Sequence, residues 1–71
     1  MKPSLVTGAN GHLGNNLCRQ LIARGERVRA MIRASADPAP LAGLEVEIVH
    51  GDIMDATATA AAVEGCGRVY H

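Results

Sequence analysis

The chain has 71 residues, with seven basic and seven acidic side chains, 48% apolar composition, eight glycines and one aromatic ring, Tyr70, which is the size of a single small domain. No apolar run approaches the ~20 residues of a membrane-spanning helix, and no charged segment leads into a signal-type apolar stretch, so a cytoplasmic protein with no membrane partner is expected. Cys18 and Cys66 are too few for a disulfide framework and His12, His50 and His71 have no metal-ligand rhythm, so both cysteines are expected to be buried thiols and no metal is expected.

A first strand is expected over Ser4-Leu5-Val6-Thr7, a short apolar run behind Pro3 that stops at Gly8 and reads as buried on both faces. From His12 to Arg24, Leu13, Leu17, Leu21 and Ile22 recur at helical spacing with Asn15, Asn16, Arg19 and Gln20 between them. That is an amphipathic helix, with Arg24 at the negative end of its dipole and Gly25 free to take positive φ beyond it. Val28, Ala30 and Ile32, with Met31, make the second strand, and alternation with Arg27, Arg29 and Arg33 predicts that it is less buried than the first. Residues 34–43 interrupt regular structure, with Asp37-Pro38 as N-cap and first position of at most one short turn around Pro40 to Ala42. Val46, Ile48 and Val49 form a third strand that ends at His50-Gly51. Asp55 can then cap a helix from Ala56 to Val63 that Gly65 ends, and Arg68-Val69-Tyr70-His71 starts a fourth strand.

The resulting order β-α-β-(short turn)-β-α-β implies parallel strands joined by right-handed crossovers. The fold class is therefore α/β, the N-terminal half of a Rossmann-type doubly wound parallel sheet with about four strands. Twelve alanines and the absence of Phe and Trp leave a thin core to offset a conformational entropy on the order of 100 kcal/mol, so the chain reads as a piece of something larger. Its charge is segregated: residues 1–33 carry six basic side chains against Glu26, and residues 34–71 carry six acids against Arg68. Such halves, without aromatic rings beside the arginines, do not describe a nucleic-acid binder.

Thr7-Gly8-Ala9-Asn10-Gly11-His12-Leu13-Gly14 sets three glycines at three-residue spacing between a strand and a helix. Gly8 lets the chain turn out of the strand, Gly11 lets the backbone approach a pyrophosphate, and Gly14 lets the helix pack closely. Backbone amides near His12 and Leu13, at the positive end of the helix dipole, are the expected phosphate donors. Asn15 follows Gly14 where a Walker loop needs lysine, which argues against nucleotide hydrolysis.

The segments TGANGHLG, VRAMIR, HGDIMD and GCGRVYH, in that order over essentially all 71 residues, resemble the N-terminal part of extended or atypical short-chain dehydrogenase/reductases. The likeness is to NAD-dependent epimerase/dehydratase and dihydroflavonol-reductase-like members. It implies that Gly8, Gly11 and Gly14, with Asn10 and His12 in the same turn, hold the pyrophosphate of a dinucleotide, and that Asp52 and Ile53 sit against the adenine. Read from the residues alone, Asp52 could equally be a turn or capping residue.

The end of the second strand bears on the cofactor. An acidic residue ~20 positions after the glycine turn pairs with the ribose of NAD, whereas an arginine there accommodates the 2′-phosphate of NADP. Arg33 stands 19 positions past Gly14 and no Asp or Glu occurs between Arg27 and Ser35, so NADP is the expected cofactor and NAD the alternative; Ser35 is a candidate second phosphate contact. Many NADP-preferring relatives add a basic residue within the glycine turn, where this chain has Asn10 and His12. The resemblance also implies a catalytic Tyr-x-x-x-Lys pair, and Tyr70 with Lys2 cannot form it. The chain is thus expected to be residues 1–71 of a NAD(P)-binding domain with no catalytic residue of its own, its C-terminal half, its substrate domain and the small-molecule substrate lying elsewhere. A non-catalytic NADP sensor is the alternative, and homo-oligomer formation is left open.

Overall fold

The computed structural model describes residues 2–70. Four strands, β1 (Ser4–Thr7), β2 (Val28–Ile32), β3 (Val46–His50) and β4 (Arg68–Tyr70), alternate with helix α1 (His12–Ala23), a 3₁₀ turn at Ala39–Leu41 and helix α2 (Ala56–Val63). The sheet order is β3-β2-β1-β4, and every pairing is parallel, in the registers Ser4↔Val28, Val28↔Val46 and Ser4↔Arg68. Successive strands are thus added on one side of β1 as far as β3 and then on the other side with β4, as at the switch point of a doubly wound fold. His71, expected to extend β4, lies outside the described residues.

Alternation along the strands divides the core in two. Val6, Val28, Ala30 and Ile32 face α1, where Cys18, Leu21 and Leu41 close over them. Leu5 and Met31 face α2 and meet Ala62. Burial pushes the Cys18 thiol above its ordinary value of 9.0, against a smaller opposing pull from its backbone hydrogen bond. Cys66, also expected to be buried, is only half-buried at the mouth of the second layer.

The second strand corrects its sequence reading, because it is interior and as buried as β1. The alternating arginine misled: Arg29 lies among apolar neighbours on the α2 face, and its Nε and Nη1 groups find partners there. It donates to Glu47 Oε1 at 2.9 Å and, at the carboxyl end of α2, to the carbonyls of Ala62 at 2.8 Å and Glu64 at 2.6 Å. Helix ends leave such carbonyls without intrahelical donors, and a guanidinium is suited to gather several of them. That clamp secures a two-turn, alanine-rich helix whose own apolar contacts are few.

Local signals account for the remaining boundaries. Gly25 and Gly65 take φ of 80° and 79° just past their helices, and Asp55 Oδ1 accepts from the Thr57 and Ala58 amides at 3.0 and 3.2 Å, an N-cap as expected. In the 3₁₀ turn the cap is Pro38, not Asp37; the Asp37 carboxylate accepts from the Ala39 amide instead, at 2.9 Å. Leu13 leaves the apolar stripe expected of α1, being 83% exposed in its first turn, while Cys18 joins that stripe.

Candidate functional site

All four strands point their carboxyl ends at one edge of the sheet, and the glycine turn sits in the middle of that edge. Gly8 leaves β1 with φ of 61°, a conformation that favours glycine. Its carbonyl accepts from the Gly11 amide at 3.0 Å, and the Ala9 amide donates to Met31 O of β2 at 3.4 Å, which ties the turn to the neighbouring strand. Gly11 is the N-cap of α1 and supplies no side chain to it. The first-turn amides at His12, Leu13 and Gly14 are therefore left to face outward.

Steric room decides what the other glycines do. A Cβ on Gly14 would lie 2.4 Å from the Gly8 carbonyl oxygen and 2.9 Å from Ala9 Cα, both backbone atoms, whereas one on Gly11 would lie 3.3 Å from that oxygen. Gly14 is thus the point of closest approach between helix and turn, refining its expected contact with the sheet. Gly51, at the end of β3, is similarly confined: a Cβ there would meet Ala58 Cβ at 3.0 Å and Met31 Cε at 3.2 Å.

Two hollows flank the turn and share Thr7 and Gly8. The first, about 520 Å³, is bounded by Gly11, His12, Leu13, Gly14 and Tyr70. The second, about 400 Å³, is bounded by Asn10, Met31, Arg33, Gly51 and Ile53. Together they make one trough across the carboxyl edge, polar amides in the middle and mainly apolar walls at both sides. Among the described residues nothing accepts from the Arg33 guanidinium, and no carboxylate lines the hollow that it borders.

The sequence-derived residues thus assemble in two groups around the turn, with two exceptions. Asp52 lines neither hollow; its Oδ1 accepts from the Met54 amide at 2.9 Å, and its carbonyl accepts from the Asp55 amide at 2.8 Å, so its visible work is to form the turn before α2. Ser35 is exposed on the turn after β2 and does not reach the Arg33 hollow. Lys2 flanks Gly67 and Glu26 at the amino edge of the sheet, opposite Tyr70. Sequence reading also missed Met31 and Gly51 as walls: Met31 read as strand core and Gly51 as a strand end, and only the parallel register brings them beside Asn10.

Residues 8–71 match the profile of the NAD(P)H-binding family. The chain is 56% identical over 68 residues to sterol demethylase protein B of Methylococcus capsulatus, covering 96% of this chain and 21% of that protein. It is 39% identical over 66 residues to a putative dihydroflavonol 4-reductase of Synechocystis, covering 93% and 19%. Among solved structures, gox2253 superposes with a TM-score of 0.94 at 35% identity, over all of this chain and 22% of that one. Uronate dehydrogenase from Agrobacterium tumefaciens, in a complex with NAD, superposes with a TM-score of 0.76 at 39% identity, over 97% and 25%. The chain therefore spans about a fifth of the length of the curated relatives it matches.

Proposed function

Because this chain belongs to the NAD(P)H-binding family, we propose that it is the cofactor-binding start of an oxidoreductase or epimerase/dehydratase that prefers NADP to NAD. The observation that carries the preference is the hollow in which Arg33 stands beside Asn10 and Gly8 with no carboxylate on its wall. A 2′-phosphate there gains a charge-assisted partner, and a bare ribose gains no carboxylate to accept from its hydroxyl.

The residues present fit a dinucleotide. The glycine-lined middle of the trough leaves room for a pyrophosphate beside the His12, Leu13 and Gly14 amides, where the helix dipole adds partial positive charge. Adenine would lie on the Ile53 and Met31 side. Asp52 would act on it only through the turn that presents Ile53. Once bound, the dinucleotide supplies hydride chemistry; this chain's part is to grip its adenosine and diphosphate and direct the remainder past Tyr70, beyond the switch point.

The substrate, the proton donor and any assembly into oligomers belong, on this reading, to parts of the protein beyond residues 1–71. Two unpaired cysteines favour a reducing, cytoplasmic setting. A second reading, a dinucleotide-binding regulator without catalysis, would use the same trough and differ only in lacking a Tyr-x-x-x-Lys pair elsewhere in the protein. Calorimetric titration with NADPH and NADH tests the first. A charge-assisted contact of about 1.5–3 kcal/mol gives a ten- to hundredfold preference for NADPH, which Arg33→Ala should abolish. Equal affinities in the unaltered chain, or an unchanged preference in the variant, would refute it.

A further inference from the structure

Arg33 begins an exposed connection whose fastening to the rest of the molecule is sparse. Its carbonyl accepts from the Ala36 amide at 2.9 Å, and the 3₁₀ turn is held by its own bonds, Leu41 to Pro38 at 2.9 Å and Ala42 to Ala39 at 3.0 Å. Among the described residues, one side-chain hydrogen bond joins residues 34–40 to the remainder: Asn15 Nδ2, on α1, donates to the Pro40 carbonyl at 2.7 Å. The Asn15 amide is itself oriented, because Arg19 Nε donates to its Oδ1 at 2.9 Å and so turns the NH₂ toward Pro40. Immediately beyond, Leu41 is buried against the α1 face of the core.

We infer that Asn15 is a positioning residue for cofactor discrimination: through Pro40 it fixes the connection that carries Arg33, and so holds the guanidinium over the glycine-turn hollow. The inference rests on the reading of Arg33 as the 2′-phosphate contact. Asn15 lies one residue past Gly14 on the same helix whose first turn faces the diphosphate, so one rigid element references both ends of the site. Without the bond, residues 34–40 keep only their internal turns and the Ala36 and Leu41 packing. The guanidinium then samples positions away from the phosphate, and its ordering must be supplied on binding.

The test uses the full chain with adenosine 2′,5′-bisphosphate and AMP as probes, which differ only in the 2′-phosphate, and the variants Asn15→Ala, Asn15→Leu and Arg33→Ala. Both Asn15 variants are neutral, so neither adds a charge near the phosphate, and the leucine preserves bulk. The expected result is a roughly three- to tenfold drop in the bisphosphate-to-AMP affinity ratio for both, a part of the ten- to hundredfold that Arg33 itself supplies, with AMP affinity within about twofold. A merely structural role for Asn15 would lower the melting temperature or both affinities together and leave the ratio intact. An intact ratio in the Asn15 variants, with a ratio collapsed by Arg33→Ala, overturns this inference and spares the Arg33 assignment. An intact ratio in Arg33→Ala overturns both.

Discussion

Gly14→Ala isolates the contact between helix α1 and the glycine turn. The added methyl would lie 2.4 Å from the Gly8 carbonyl oxygen and 2.9 Å from both Ala9 Cα and Gly8 C, all backbone atoms that no rotamer change can move aside. Restoring an ordinary contact requires the helix to retreat by about 1 Å, and overpacking of this kind costs about 1–3 kcal/mol. Alanine returns up to about 1 kcal/mol through helix propensity. The net destabilisation spans about 0–3 kcal/mol and centres on about 1.5 kcal/mol, or ~6–12 °C in melting temperature for a domain of this size. Gly11→Ala is the matched control, since its methyl stands 3.3 Å from the same oxygen at a φ of −78° that any residue adopts; it should cost less than about 1 kcal/mol in stability while crowding the diphosphate. Thermal melts followed by circular dichroism, with NADPH titration beside them, separate the two. A Gly14→Ala chain as stable as the original would show that helix and turn are not in forced contact and would refute the reasoning.

Removing the Asp55 cap by Asp55→Ala strips two amides of their acceptor and should cost about 1 kcal/mol in urea unfolding, with cofactor affinity unaltered. Arg29→Lys keeps the charge but loses the fork that reaches Glu47, Ala62 and Glu64 together, and should destabilise by about 1–2 kcal/mol; a neutral outcome would mean that the α2 clamp contributes nothing. The raised pKa of the buried Cys18 thiol gives stability a defined pH dependence. Its contribution is fully present below the ordinary thiol value of 9.0, where both states are protonated, and declines as pH climbs beyond it, by at most ~1.4 kcal/mol per pH unit. Cys18→Ala should lower stability throughout and flatten that part of the decline, as melts between pH 7 and 10.5 would show.

The elements were legible because each carries its own punctuation. Gly8, Gly25, Asp55 and Gly65 act through backbone dihedrals or a hydrogen bond two or three residues away, and such signals survive without knowledge of the fold. Burial was less legible. The pattern of arginines around β2 described an outer strand, yet Arg29 is satisfied by Glu47 and by carbonyls more than thirty residues further along the chain, a solution invisible to periodicity. Leu13 erred in the opposite sense, since it obeys the helical period but occupies the first turn, where no neighbouring element covers it. The glycine turn and Arg33 were recognisable because both belong to contiguous segments next to strand ends. Met31 and Gly51 join the same hollow only through parallel pairing, and the Asn15–Pro40 bond depends on where a non-repetitive loop happens to dock.

The placement of β1 in the interior of the sheet sets the order in which the trough can be built. One wall, with Arg33 and Ile53, needs nothing beyond residue 53, but the Tyr70 wall waits for β4, whose carbonyl at Tyr70 accepts from Thr7 Oγ1 at 3.3 Å across 63 residues of sequence. Closing so long a loop is an entropic cost incurred before the pairing can reward it, and parallel strands leave no shorter route. During synthesis, then, the Arg33 side can mature while the flank of β1 that β4 will occupy is still bare. A ligand present at that stage would meet a half-made cleft, its Arg33 side in place before its Tyr70 side.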